Sequence, residues 1–302
     1  MSYASGNLVI LGLGLIGGSL ARALRASGFC TRFIGYGHRE TSLRRGVELG
    51  VIDEFTLDLD EAIARADIAV ICTPTLTAVQ MLGQILPRLS GRSGGPVITD
   101  VASVKGSLRD AAIAVAGAMP PQLVLGHPIA GSEHSGVEAS SADLFVNHRV
   151  ILTPVEGNDA AAVQLVRSMW GSAGAEVVEM TVDRHDSVLA ATSHLPHVLA
   201  YTLVDALSAA DSSDDIFRCA AGGFRDFTRI ASSDPVMWRD IAIANKAALL
   251  ESIDIFSEHL ARLRAAVRDE NGAELLATFT RAKRARDEFA ALLAQRREPH
   301  TP

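Results

Sequence analysis

A chain of 302 residues, 48% of them hydrophobic, is long enough to bury one large core or two medium ones. Aromatic residues make up only 5%, so Ala, Leu, Val and Ile must fill the interior, which favours α/β and α architectures over a β-sandwich. A formal net charge of −7, with no long Lys/Arg block, argues against a nucleic-acid partner, so any anionic ligand must be met by a few placed cations. Cys30, Cys72 and Cys219 form no CxxC and no disulfide framework, which predicts a reduced, cytoplasmic protein. Met1–Gly6 lacks the basic start of a signal peptide, and no apolar run approaches the length of a membrane span.

Strands are predicted at Leu8–Leu11, Arg32–Tyr36, Ile68–Cys72, Val97–Asp100, Leu123–Leu125, Arg149–Thr153 and Glu176–Met180. Helical patterns between them include Ile16–Ser27, Thr77–Leu89, Lys105–Ala116 and Asp159–Ala173. This alternation predicts an α/β fold, a Rossmann-type doubly wound parallel sheet with helices on both faces. After Met180 the pattern turns helical. Asp183–Ala209 carries a helical apolar period interrupted by Pro196, whose missing N–H leaves the Thr192 carbonyl unpaired and predicts a kink. Asp234-Pro235 is a helix start, and the helix reads on to Asn271-Gly272, a rod of roughly 50 Å. A last helix covers Ala273–Ala294. The expected division is a dinucleotide-binding domain at 1–181 and an all-α substrate-binding domain at 182–302. The long helices of the second suggest a homodimer interface.

Leu8–Leu11 runs directly into Gly12-Leu13-Gly14-Leu15-Ile16-Gly17, and a helix follows. That context makes the glycine pattern a dinucleotide site, with Gly12 for the turn, Gly14 for approach of the pyrophosphate and Gly17 for helix–strand packing. The first residues of the helix, Leu15 and Ile16, bring free N–H groups to the phosphates, and Thr73 beyond the Ile68–Cys72 strand is a further cofactor candidate. Where an NAD site places an acid, Gly37 stands, followed by His38 and Arg39. An arginine pairs with a 2′-phosphate that a carboxylate would repel, so NADP is expected; if Glu40 held the ribose instead, the cofactor would be NAD.

Two segments lie just past strands, where open parallel sheets bind ligands: Asp100–Lys105 and Gly126–Glu133. His127 is the candidate base for an alcohol proton, and Ser103 could orient that proton or merely cap the helix at Lys105. Ser193-His194-Leu195-Pro196-His197 lies at the expected kink, and two histidines three apart without a third ligand argue against metal. Arg225, Arg229 and Arg239 offer guanidinium forks for carboxylates, unless surface acids such as Asp226 or Asp240 occupy them.

GLGLIGGS at Gly12–Ser19, DVASVKG at Asp100–Gly106, GHPIAGSEHSGVE at Gly126–Glu138, SHLPH at Ser193–His197 and GGFRDFTRIASSDPVMWRDI at Gly222–Ile241 resemble the prephenate/arogenate dehydrogenase family over nearly the whole chain. The resemblance implies oxidation of a ring C4 hydroxyl by hydride transfer to nicotinamide, with loss of the C1 carboxylate as CO₂. The product would be 4-hydroxyphenylpyruvate from prephenate or tyrosine from arogenate, a step of tyrosine biosynthesis. It further implies that His127 binds and deprotonates the hydroxyl, with Ser103 hydrogen-bonded to both. Arg229 would bind the ring carboxylate and His197 the substrate side chain. Ser132, Glu133 and Trp238 would line or gate the pocket. Gly37 departs from the Asp of NAD-using members, in line with NADP. No ACT or chorismate mutase segment is recognised, so feedback by tyrosine would have to act at the active site. A β-hydroxyacid dehydrogenase would need an Asn four residues after its catalytic Lys, and Lys246 has Leu250 there. A non-catalytic dinucleotide sensor leaves His127, His197 and Arg229 without a reason to coexist.

Overall fold

The computed structural model describes residues 5–89, 95–131 and 134–297. The first part is a six-stranded, wholly parallel sheet in the order β3-β2-β1-β4-β5-β6. Its strands are β1 Ser5–Leu11, β2 Cys30–Tyr36, β3 Glu54–Thr56, β4 Ile68–Ile71, β5 Val97–Asp100 and β6 Leu123–Val124. The crossovers are α1 Leu15–Ser27, α2 Glu40–Glu48, α3 Leu59–Ala64, α4 Thr75–Leu89 and α5 Gly106–Ala116. Alternation within β1 divides the interior. Leu8 and Ile10 enter one apolar cluster with Leu20, Leu24, Phe33 and Trp170, whereas Val9 and Leu11 enter another with Leu82, Ile85 and Leu108. The sheet is therefore covered on both faces, which is why β4 reads as an unbroken apolar run.

After β6 the chain changes sheets. Leu125 separates β6 from β7, Gly126–Pro128, which pairs antiparallel with β8, Arg149–Leu152, and β8 pairs parallel with β9, Glu176–Glu179. The helix α6, Ala160–Ser172, fills the crossover and buries Trp170 edge-on against Phe145, ring centres 5.1 Å apart. The seven expected strands all exist, with ends that differ by at most three residues. β3 and β7 were not foreseen: each has only three residues, too few for an alternating pattern. His127, expected in a loop beyond a strand, lies on β7 itself.

Beyond β9 the described residues are helical: α7 Val182–Leu189, α8 Leu195–Ser208, α9 Ser213–Arg218, α10 Gly222–Thr228, α11 Pro235–Ala244, α12 Lys246–Arg268 and α13 Gly272–Arg297. The break expected at Pro196 takes the form of a single π turn, Ala190–His194, between α7 and α8, closed by Leu195 N–H donating to the Ala190 carbonyl. The widened turn removes the need for a bond from Pro196 to Thr192. Asp234 caps α11 through Met237 N–H with Pro235 in the first turn, as its sequence predicts. The single rod from there to Gly272 is not formed. The break falls at Asn245, whose backbone leaves helical geometry at φ −102°, ψ 33°, and whose side-chain amide donates to the Asp186 carbonyl at 2.9 Å and contacts His194 Nδ1 at 3.0 Å. A second turn at Asp269–Asn271, with Glu270 at φ 52°, separates α12 from α13.

Residues 1–249 and 250–302 form two compact units. Within the first, α7 packs on α5 and α11 on α4, so the first helices after β9 share a unit with the sheets. No helix among the described residues is long and apolar enough to cross a membrane.

Candidate active site

The glycine loop has the form that a dinucleotide requires. Gly12 turns with φ +104°, and a Cβ there would lie 2.8 Å from the Thr73 methyl and 3.1 Å from the Cys72 backbone. A Cβ on Gly17 would strike the Gly12 carbonyl oxygen at 2.7 Å, so only glycine lets α1 lie this close to the loop. Gly14, by contrast, faces open space for 4 Å, and no side chain caps the α1 N-terminus. A pyrophosphate fits this opening, with Leu15 opening the helix and Ile16 packed against the core below. Thr73 Oγ1 is buried beside it without a hydrogen-bond partner, an unspent donor facing the same loop. At the end of β2, Gly37 carries no acid, and His38 and Arg39 are exposed. Among the described residues the Arg39 side chain has no ion-pair partner, whereas Glu40 is engaged by Arg44 at 2.5 Å.

The second half of the site is a buried polar cluster that joins three distant segments. Asp100, at the end of β5, accepts from Ala102 N–H at 2.9 Å and from Gly126 N–H at 3.2 Å, and pairs with Lys105 Nζ. Lys105, fully buried, also donates to the Gly126 carbonyl at 2.6 Å. These bonds clamp the loop bearing Ser103 against the strand bearing His127. Ser103 is half-buried and does not cap α5. That role belongs to Asp186 of α7, whose carboxylate accepts from Lys105 N–H at 2.9 Å and Gly106 N–H at 2.8 Å. The same carboxylate meets His185 Nδ1 at 2.7 Å, and His185 Nε2 meets His127 Nδ1 at 2.9 Å.

The helical segments add the other wall. His194, buried in the π turn, holds its ring through Asn245, and its Nε2 has no partner. His197 stacks on Trp238 with ring centres 3.4 Å apart and contacts the Ser193 carbonyl through Nδ1 at 2.9 Å. Of the three candidate arginines, Arg225 pairs with Asp226 and Arg239 with Asp240. Arg229, in a short 3-10 turn at Arg229–Ser232, has no such partner among the described residues, and its charge reaches His197. Ser132 and Glu133 lie outside the described residues.

Burial sets the protonation states. It pushes His127 well below its ordinary value, helped by the nearby His185, Lys105 and His194. His185 is lowered by burial too, against the opposing pull of Asp186. His194 is lowered to about 4, chiefly by burial. Burial would raise Asp186, but the bonds from His185, Lys105 N–H and Gly106 N–H outweigh it and hold the carboxyl below its ordinary value. The site at rest is therefore a set of neutral imidazoles anchored on the Asp186 carboxylate, beside the Asp100–Lys105 pair.

The sequence pointed to His127, Ser103, His197, Trp238 and Arg229, weighed His194 only as a metal ligand, and gave no role in the site to Lys105, His185, Asp186 or Asn245. A signal for two of these was present. The buried face of α7 consists of Val182, His185, Asp186 and Leu189, so two titratable residues occupy core-facing positions of an amphipathic helix.

A Rossmann-type glycine cradle with a buried imidazole cluster at the sheet's rim is the architecture of a dinucleotide-dependent dehydrogenase. Two family models cover most of the chain: the nucleotide-binding domain of prephenate dehydrogenase over residues 20–179, and its dimerization domain over residues 181–281. A cyclohexadienyl dehydrogenase of Zymomonas mobilis is 36% identical over 93% of this chain and 94% of its own. A prephenate dehydrogenase of Bacillus subtilis is 37% identical over 95% of this chain and 77% of its own. The crystal structure of prephenate dehydrogenase from Aquifex aeolicus in complex with hydroxyphenyl propionate and NAD+ superposes with a TM-score of 0.86, at 37% identity over 96% of this chain and all of that one. The chain belongs to the prephenate dehydrogenase family.

The protonation states make stability depend on pH. A histidine whose folded pKa is lowered binds its proton more readily when unfolded, so folding is favoured above about 6.5 and loses stability as pH falls from there through the folded value. With His127, His185 and His194 all lowered, the last to about 4, urea unfolding should show stability falling between pH 6.5 and 4. The slope should approach about 1.4 kcal/mol per pH unit for each histidine involved. Equal unfolding midpoints at pH 7 and pH 5 would contradict the assignment of three neutral imidazoles.

Proposed function

We propose that this protein is an NADP-preferring prephenate dehydrogenase, converting prephenate to 4-hydroxyphenylpyruvate and CO₂ in tyrosine biosynthesis. The observation that carries the reading is a neutral, buried His127, linked by a 2.9 Å contact to His185, in the same unit as Arg229, which has no ion-pair partner among the described residues and stands beside the His197–Trp238 stack. When bound, the dinucleotide accepts the hydride of the ring C4. His127 takes the proton of the C4 hydroxyl, and the electron pair of that O–H bond becomes part of the new carbonyl. Loss of the C1 carboxylate as CO₂ sends its bond electrons into the ring, and the resulting phenolate oxygen recovers a proton from the imidazolium. Aromatisation supplies the driving force, so the protein needs chiefly to orient the substrate and hold its two carboxylates. Arg229 is assigned to the ring carboxylate, His197 to the side-chain end, and Ser103 to the hydroxyl. Ser132, Glu133 and Trp238 are assigned to the pocket wall. The cyclohexadienyl dehydrogenase relative keeps arogenate open as a second substrate, since it differs from prephenate only at that side chain.

Turnover with prephenate and arogenate, each with NADP and NAD, tests the reading directly. His127→Asn should abolish most turnover, by about 10²–10⁴-fold, with cofactor affinity kept. Arg229→Ala should raise KM more than it lowers kcat, because tight binding of the departing carboxylate would stabilise the ground state. Activity of His127→Asn within a few-fold of the parent removes the base. A large kcat loss at unchanged KM removes the arginine from binding.

For the cofactor, support comes from Gly37, from an Arg39 with no ion pair among the described residues and from Glu40 already held by Arg44. A 2′-phosphate meets a guanidinium through charge-assisted bonds of about 1.5–3 kcal/mol, so Arg39→Ala should weaken NADP binding about ten- to a hundredfold and leave NAD nearly unchanged. Equal losses for both cofactors would refute the assignment. We retain 1–181 as the dinucleotide-binding part and 182–302 as the helical part, and propose a homodimer through the latter. In the 250–302 unit, Leu276, Phe279, Phe289 and Leu292 are at least half exposed, an apolar surface that a second copy would cover. Sedimentation should give twice the chain mass of 31.9 kDa, and a persistent monomer at micromolar concentration would overturn the dimer.

A further inference from the structure

We infer that His185 and Asp186 act as a positioning pair that fixes His127 in the tautomer able to serve as a base. The inference rests on the role proposed above for His127 and extends it to residues that do not touch substrate.

The argument runs inward from Asp186. Its carboxylate receives two backbone N–H groups at the start of α5, 2.9 Å and 2.8 Å away, which keep it ionised and therefore an acceptor only. His185 Nδ1, 2.7 Å from the same carboxylate, must then carry a hydrogen. A neutral His185 has its lone pair on Nε2, so across the 2.9 Å contact His127 Nδ1 must be the donor. A neutral His127 with hydrogen on Nδ1 presents its lone pair at Nε2, which has no partner among the described residues. The free imidazole side chain favours the opposite tautomer, with hydrogen on Nε2 and no basic atom there. The relay reverses that preference.

The same geometry serves after proton transfer. The proton arriving at His127 Nε2 leaves a charged ring whose Nδ1–H still donates to His185. The charge faces the Asp186 carboxylate through one intervening imidazole, and no proton needs to move along the chain. The groups packed around His127 from other elements are Lys105 of the β5–α5 loop, His185 of α7 and His194 of the π turn, and the first two are already fixed by Asp100 and Asp186. Asp186 is therefore the nearest carboxylate along the hydrogen-bonded path from the base.

The test uses full-length protein with ¹⁵N-labelled histidine, reading ring nitrogens by long-range proton–nitrogen NMR and assigning His127 by its loss in His127→Asn. Parent protein should show His127 protonated at Nδ1 alone. His185→Leu should shift it toward the Nε2–H form and lower kcat by about 10²–10⁴-fold with cofactor affinity retained. His185→Gln offers an amide oxygen to His127 and an N–H to Asp186, so it should restore both the tautomer and most of the rate. A parent His127 unprotonated at Nδ1, or a His185→Leu enzyme whose kcat stays within about threefold of the parent, overturns the inference. If His185→Leu does not fold, the Gln variant decides alone: retention of tautomer and rate supports the relay, and a lost rate with the tautomer unchanged overturns it. Failure of the base assignment shows separately, as full activity in His127→Asn while the parent protein still shows His127 protonated at Nδ1.

Discussion

One carboxylate at the start of α5 holds the site together. Helix N-termini leave N–H groups unpaired, and here a side chain from 80 residues further along the chain fills the need. Because Asp186 comes from α7, the bond that completes α5 also docks the helical segments on the sheet and aims His185 at His127. A buried carboxylate is costly unless several donors surround it, and this one has three. The Asp100–Lys105 pair does for β7 what Asp186 does for α7, tying Gly126 to the same loop by both its N–H and its carbonyl. Segments around residues 100, 126 and 185 thus form one rigid polar block, the condition for holding reacting groups in place.

The opposite wall is assembled differently. Its groups are aromatic and cationic, and they are set by interruptions of helices: the π turn before Pro196, the break at Asn245 and the 3-10 turn at Arg229. Asn245 resembles Asp186 in serving two purposes, ending one helix while steadying His194. The regular helices also carry site residues, His185 and Asp186 on α7, His197 on α8 and Trp238 on α11, and the interruptions add His194, Asn245 and Arg229 to them.

The sheet was legible because its evidence is local. Leu8–Leu11 followed by the glycine loop carries strand, turn and helix start in ten residues, and the structure reproduces each. Pro196 likewise announced its disturbance, and Asp234-Pro235 its helix start. The rod through Asn245 misled because local periodicity continues across that residue, while the contact its side chain makes at the break, to the Asp186 carbonyl, joins positions 59 residues apart. For the same reason the sequence singled out His127 but not its partner: adjacency of His185 to Asp186 is visible, whereas their meeting with Lys105 and His127 exists only after β5, β7 and α7 have come together. Ser103 looked like a helix cap by proximity, and a distant carboxylate took the position.

The π turn at Ala190–His194 carries a consequence for how such a chain can change over evolutionary time. Each residue of a helix advances the direction of its side chain by about 100°, and a π turn accommodates one residue more than an α turn in its closing bond. Deleting a single residue there would let Leu195 N–H close an ordinary α turn on the Ala190 carbonyl and keep the helix beyond near its present phase, whereas inserting one would turn His197 by about 100° relative to His185. Ala191 and Thr192 face solvent and are free to vary in kind. Loss of one residue is therefore the change of length that the link between the two histidine-bearing helices can absorb, and a gain is the one that would turn the second histidine away.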